Sequence, residues 1–246
     1  VLGWGKGNFI ESPSENYQDL GGSGEITGMI GLEDLLIAFT TNKIFYGKET
    51  SIELLPYAFV EIQAGDVSVV GPRGFGGLLG SVIFIGPDDI YAIGLDQGYP
   101  TLSQIGTPIA NLIFPMADPM SSIVCPDTEN SRVLIGVASG TKKVIDEVFL
   151  WNYRSKGWTL FKTENIRGIS VTDFVDDLRV EDVPPEWTFE NSPVSGESSM
   201  ALLGQYRSNR VMFLDGYGYS YLYDPESGIN QFVRGGSPTN QKITTV

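Results

Sequence analysis

The chain has 246 residues, with 16 basic against 30 acidic side chains, a formal charge of −14 and no histidine. That balance argues against a protein that grips nucleic-acid phosphates through its general field. With Cys125 as the sole cysteine, it also excludes an intrachain disulfide, His or Cys metal clusters, Ser-His-Asp and Cys-His nucleophiles, and histidine-built zinc hydrolases. The 30 glycines and 14 prolines, with 11% aromatic and only 19% charged residues, suit many short strands joined by tight turns, with helix scarce.

In chain order, residues 7–20 (GNFIESPSENYQDL) read as one strand and a polar loop, too little for a full sheet. Gly21-Gly22-Ser23-Gly24 follows as a flexible connection. A first group of four strands is expected at 26–30, 35–40, 43–47 and 57–62, and a second at 75–79, 81–85, 90–94 and 99–104. A third falls at 122–125, 132–138, 147–152 and 157–162. A fourth falls at 200–206, 210–214, 219–223 and 229–233, joined by turn formers at 207–209, 215–218 and 224–228.

These groups repeat one design, a short apolar strand, a tight Gly, Asn or Asp turn and another strand, at spacings of about 45 to 50 residues for the first three. A repeated hairpin unit cannot bury its face alone, so neighbouring copies must stack. Four strands in a meander make a propeller blade. The expected fold is therefore all-β: a β-propeller of about five four-stranded antiparallel blades, with four to seven admissible, as a single domain over residues 1–246. Its closure is shared by both chain ends, which leaves no free edge. The chain begins at Val1 rather than Met, the expectation for a processed form or a fragment of a longer chain.

The longer last interval holds an acidic insertion at 173–197. Asp173, Asp176, Asp177, Glu181, Asp182, Glu186 and Glu190 face only Arg179 there, beside Pro184 and Pro185. Such a run reads as a solvated loop between elements. The sharper reading is an acidic projection that lines a channel or contacts a basic partner, and these seven residues are the candidate interaction site.

No catalytic, cofactor-binding or metal residues are assigned. Residues 71–77 (GPRGFGG) lack the Lys-Ser or Lys-Thr of a phosphate loop and a following helix, so they read as a turn entering a strand. Asp88-Asp89 and Asp215-Gly216 lack the spacing of a calcium loop and read as hairpin turns. A glycosidase needs only two carboxylates, but the acidic residues offer no way to choose a pair, and the arginine cluster and S-x-D-x-G-x-x-W turns of sialidases are missing. Trp151, Tyr153, Trp158, Tyr217, Tyr219, Tyr221 and Tyr223 suit core packing between blades, with a sugar-binding platform as the alternative. No apolar run reaches membrane-spanning length, because Glu33 and Asp34 interrupt 29–40 and Asp88 and Asp89 interrupt 82–93.

The run ITGMIG at 26–31 followed by DLLIAFTTNKIF at 34–45 resembles bacteriophage propeller proteins, in which an ITG-type strand precedes a LIVFTENSIY-like hairpin. GSVIFIGPDDIY at 80–91 is similar to their next hairpin, and Trp151-Asn152-Tyr153 with Gly157-Trp158 resembles their blade exit. Asn8 to Ser12 resembles the strand before the first of these blades. The family that these segments resemble is the tail nozzle and packaged-DNA-stabilisation proteins of short-tailed phages. The resemblance implies a non-enzymatic virion component without cofactor: a ring of copies of itself, joined to other tail or portal-adaptor proteins, with DNA passing nearby unbound and no membrane span. A receptor- or glycan-binding propeller is the alternative. The acidic insertion departs from the family pattern.

Overall fold

The computed structural model describes residues 2–3, 17–18, 20–21, 23–51, 57–175, 207–218, 220–223, 229–233 and 240–242. Helix among them is confined to the 3₁₀ turns Thr107–Ile109 and Pro119–Ser121 and to α1, the single turn Ala110–Ile113. The chain divides into two compact units, Val1–Ile169 with Thr244–Val246, and Ser170–Ile243. The sequence reading places one domain over 1–246.

In the first unit, β1 (Leu2–Gly3) pairs with β2 (Tyr17–Gln18). A four-stranded antiparallel sheet follows in sequence order: β3 (Ile26–Leu32), β4 (Leu35–Thr40), β5 (Ile44–Glu49) and β6 (Tyr57–Glu61). The second sheet repeats the plan with β7 (Phe75–Leu78), β8 (Ser81–Ile85), β9 (Ile90–Asp96) and β10 (Tyr99–Gln104). The third begins with β11 (Ile123–Asp127), β12 (Arg132–Val137) and β13 (Ile145–Asn152) and adds the start of β14 (Gly157–Val175). The chain is all-β, and its unit is the four-stranded antiparallel meander of a β-propeller blade.

The second strands β4, β8 and β12 are apolar along their length rather than alternating, because each is covered on both faces. Ile37 and Phe39 of β4 meet Val82 and Phe84 of β8 in one core. The intervening Ile83 and Ile85 join Val133, Ile135 and Phe149 in the next core. Ala38 packs with Leu20, Phe45 and Phe59 on the other side of the first sheet. Strand periodicity of two thus sends successive residues into different cores. Burying each Phe or Ile contributes roughly 1.5–3 kcal/mol.

The first strands β3, β7 and β11 neighbour one another, and their glycines allow the approach. A Cβ on Gly28 would enter the Phe75 ring, and one on Gly76 would lie 2.6 Å from Cδ of Pro126. At the other side of its sheet, terminal β10 carries Pro100, a residue that sheets tolerate on edge strands.

In each of the three sheets a hydroxyl pins the turn between the second and third strands. Ser68 donates to the Thr40 carbonyl and, at 3.2 Å, to that of Lys43. Thr107 donates to Asp89 Oδ2 at 3.0 Å, and Ser139 donates to Asp146 Oδ2 at 2.7 Å.

Strand β14 runs on to Val175, where the sequence reading ends it at residue 162. The pairing of β13 with β14 slips between Ile145 and Glu147, and Asn165 opposite the slip has φ 55°. This is a β-bulge, which keeps the strand going through residues that look like a turn, and asparagine tolerates the left-handed conformation it needs.

The second unit takes the end of β14 and adds β15 (Arg207–Asp215), β16 (Ser220–Tyr223), β17 (Ile229–Val233) and β18 (Asn240–Lys242), hydrogen-bonded in sequence order. Its hairpin register pairs Val211 with Tyr223 and Phe213 with Tyr221. Val211 and Phe213 are buried while Leu214 is exposed, so β15 has one covered face. The expected strand at 200–206 lies outside the described residues, and so does that at 8–12. β18 was not expected, because its polar Asn-Gln-Lys has no apolar alternation and owes its conformation to pairing with β17. The fifth blade and its closure by both chain ends fall outside the described residues.

Candidate functional site

Of the seven acidic candidates, Asp173 lies within the bounds of β14, so its backbone is strand rather than loop. The bulge carries the strand past the expected end and produces this difference. Asp176, Asp177, Glu181, Asp182, Glu186 and Glu190 lie outside the described residues.

The carboxylates that can be placed bind their own turns. Asp89 is buried, with Oδ1 accepting the Ile90 N–H at 2.6 Å and Oδ2 accepting from Thr107. Asp88 Oδ1 accepts the Tyr91 hydroxyl at 2.7 Å. Burial raises the Tyr91 pKa, and the hydrogen bond to Asp88 raises it further. Asp215 Oδ1 accepts the Tyr217 N–H at 2.8 Å, the Asx-turn geometry that shapes this hairpin. The aspartates of both turns named in the sequence, Asp88-Asp89 and Asp215-Gly216, thus behave as turn formers. Among the described residues no three His, Cys, Asp or Glu side chains converge to hold a metal ion.

Two polar centres were not singled out from sequence. Asp127 is fully buried; its Oδ2 accepts from Arg132 Nε at 2.7 Å and from Asn130 Nδ2 at 3.0 Å. The signal was the D-x-x-N-x-R spacing across the β11–β12 turn, which lets one carboxylate serve both donors. Asp146 takes Ser139 N–H and Lys142 Nζ, each at 2.7 Å. Burial pushes the Asp146 carboxyl up, but the hydrogen bonds from Lys142 and Ser139 outweigh it and leave the pKa below the ordinary value. The bond to Asp146 raises the pKa of Lys142 in turn.

Residues 71–77 form a turn into β7, closed by Gly74 N–H to the Gly71 carbonyl at 3.0 Å. Arg73 in this turn donates from Nη1 to the Arg167 carbonyl at 2.8 Å and from Nη2 to that of Ser121 at 3.5 Å. The only guanidinium of the loop is therefore held by backbone.

The aromatic candidates separate. Trp151 is buried and faces Trp158 across the β13–β14 register with ring centroids 6.0 Å apart. Lys156 Nζ lies 5.1 Å from the centre of the Trp151 ring, and Tyr153 donates its hydroxyl to the Thr128 carbonyl at 3.0 Å. All three aromatics pack on the core between the second and third sheets. Tyr217 is the opposite case, 78% exposed at the tip of the β15–β16 hairpin. Tyr219 is outside the described residues, and Tyr221 and Tyr223 lie on β16.

No helix of the described residues is long and apolar enough to cross a membrane. No family model matches the chain, and no curated protein does. Among solved structures, the chain is similar to the computationally designed Ika4 protein, at 10% identity and TM-score 0.42 over 84% of this chain and 94% of that one. It is also similar to the Neurospora crassa Pan2 WD40 domain, at 12% identity and TM-score 0.37 over 90% of this chain and 50% of that one.

Proposed function

We propose that this chain is a non-enzymatic structural component of a bacteriophage tail, a blade-built subunit of a nozzle or adaptor ring that retains or conducts the genome. The observation that carries the reading is where the family-like segments fall. ITGMIG occupies β3, LLIAFTTNKIF makes the β4–β5 hairpin, SVIFIGPDDIY the β8–β9 hairpin, and Trp151 to Trp158 the β13–β14 hairpin. The first is the opening strand of its sheet, the second and third are hairpins of second and third strands, and the last is a hairpin of third and fourth strands.

The physical properties suit that role. Shared cores between successive sheets make a rigid body, and the buried carboxylates stiffen its turns. A charge of −14 lowers non-specific affinity for a polyanion passing close by. The acidic run from Asp173 to Glu190 is the proposed lumen-facing or partner-facing projection, and the virion tail is the proposed location.

Sedimentation of the purified protein tests this reading. A closed oligomer of fixed stoichiometry is expected, and a monomer at all concentrations would contradict it. The exposed tip at Tyr217 favours one second reading, a receptor- or glycan-binding module. Glycan-array binding that disappears in Tyr217→Ala supports that second reading; silence across the array with stable incorporation into virions supports the ring.

A further inference from the structure

The first two four-stranded sheets end in outer strands, β6 and β10, whose second edges have no strand partner among the described residues. An edge of this kind invites a further strand. Residues of an antiparallel strand turn their N–H and C=O alternately toward and away from the neighbour, so the register tells which groups face outward. Just after β6, the Ile62 N–H donates to the Ile44 carbonyl at 2.8 Å; the alternation then directs Ala58 and Val60 inward and Tyr57, Phe59 and Glu61 outward. Just after β10, the Ile105 N–H donates to the Ile90 carbonyl at 2.9 Å, which leaves Pro100, Leu102 and Gln104 outward.

The two edges are treated differently. On β10 one outward position is Pro100, which has no N–H to offer a new neighbour. β6 has no proline; its one charged residue, Glu61, is paired with Lys43 Nζ at 2.8 Å, and its Val60 side chain is exposed. With aromatic and β-branched side chains and its charge answered, β6 has the composition of a strand that pairs readily. Its middle outward residue is instead covered by a side chain. Gln18, 41 residues away in sequence, donates from Nε2 to the Phe59 carbonyl at 3.0 Å and accepts the Phe59 N–H on Oε1 at 2.8 Å. That carboxamide takes the donor and the acceptor that an added strand would need. Leu20, buried with Ala38, Phe45 and Phe59, anchors the segment that carries it.

We infer that Gln18 is an edge cap, a contact within the chain that withholds β6 from strand addition, as Pro100 does for β10. A strand can reach the Phe59 backbone only by displacing the carboxamide from both of its hydrogen bonds at once. The cap acts in a lone chain and in a ring of copies alike.

Gln18→Ala removes the carboxamide and leaves Leu20 in place; Gln18→Met does the same while keeping the length of the side chain, in case the first variant does not fold. Sedimentation, and hydrogen exchange at the Phe59 amide, are read for each against wild type at matched concentrations. In dilute solution the variant is expected to lose protection at Phe59. On concentration it is expected to form species larger than wild type, in which that amide is protected again. Species of wild-type size at every concentration would overturn the cap, as would larger species that leave Phe59 unprotected. A Phe59 amide that keeps its protection in the dilute variant would overturn it too.

Discussion

Arg132 and Asp127 close the β11–β12 hairpin through a hydrogen-bonded ion pair, Nε to Oδ2 at 2.7 Å, in which the aspartate side chain has no exposed surface and the arginine side chain only 10%. Removing one partner leaves a charge stranded out of water, which costs about 3–5 kcal/mol. Asp127→Ala and Arg132→Ala are each expected to lower unfolding stability by this order in urea titration. Near-neutral behaviour of Asp127→Ala would show that water reaches the pair.

Glycine positions give a sharper contrast. Gly76→Ala places a methyl 2.6 Å from the Pro126 ring, whereas Gly31→Ala on the same kind of first strand meets nothing within 4 Å. Overpacking of a closed contact costs about 1–3 kcal/mol. A lowered urea midpoint for Gly76→Ala with little change for Gly31→Ala is the expected pair of results. Equal effects would mean that the first strands are not packed against each other as described.

The Ser139–Lys142–Asp146 turn predicts a pH response. Asp146 has a depressed pKa, so its contribution is present above the ordinary carboxylate value and is lost as pH falls through the depressed one. Lys142 has a raised pKa, so its contribution is present below the ordinary ammonium value and is lost as pH rises through the raised one. Asp146→Asn should flatten the acid limb of a stability-against-pH curve. An unchanged acid limb in thermal melts between neutral pH and the carboxylate range would contradict this assignment.

Thr107→Val keeps the side-chain shape and removes the hydroxyl that serves buried Asp89. A buried acceptor that loses a donor costs about 1–3 kcal/mol. The expected outcome is destabilisation with unchanged far-UV circular dichroism.

The blade elements were legible because turn chemistry and apolar strand runs coincide. Of the first eight expected strands, β4, β8 and β10 match at both ends, since Asn42, Asp88-Asp89 and Gln97-Gly98 sit at real turns. The roles of Asp88, Asp89 and Asp215 as turn formers were legible for the same reason: a carboxylate beside its own backbone N–H needs no distant partner. Long-range relations were not. Nothing local tells Gln18 that its partner is Phe59, or Arg73 that it will hold the Arg167 carbonyl. The bulge at Asn165 was missed because a residue with φ 55° inside a strand has the composition of a turn. The core role of Trp151 follows from strand alternation, but its stacking on Trp158 depends on register, which the hairpin fixes only once both ends are placed.

Electron microscopy of the purified assembly tests the central claim most directly. Closed rings of blade-built subunits around an open channel, with one copy number in all particles, are the predicted result. Isolated subunits without a ring, under conditions in which the protein is folded, would contradict it.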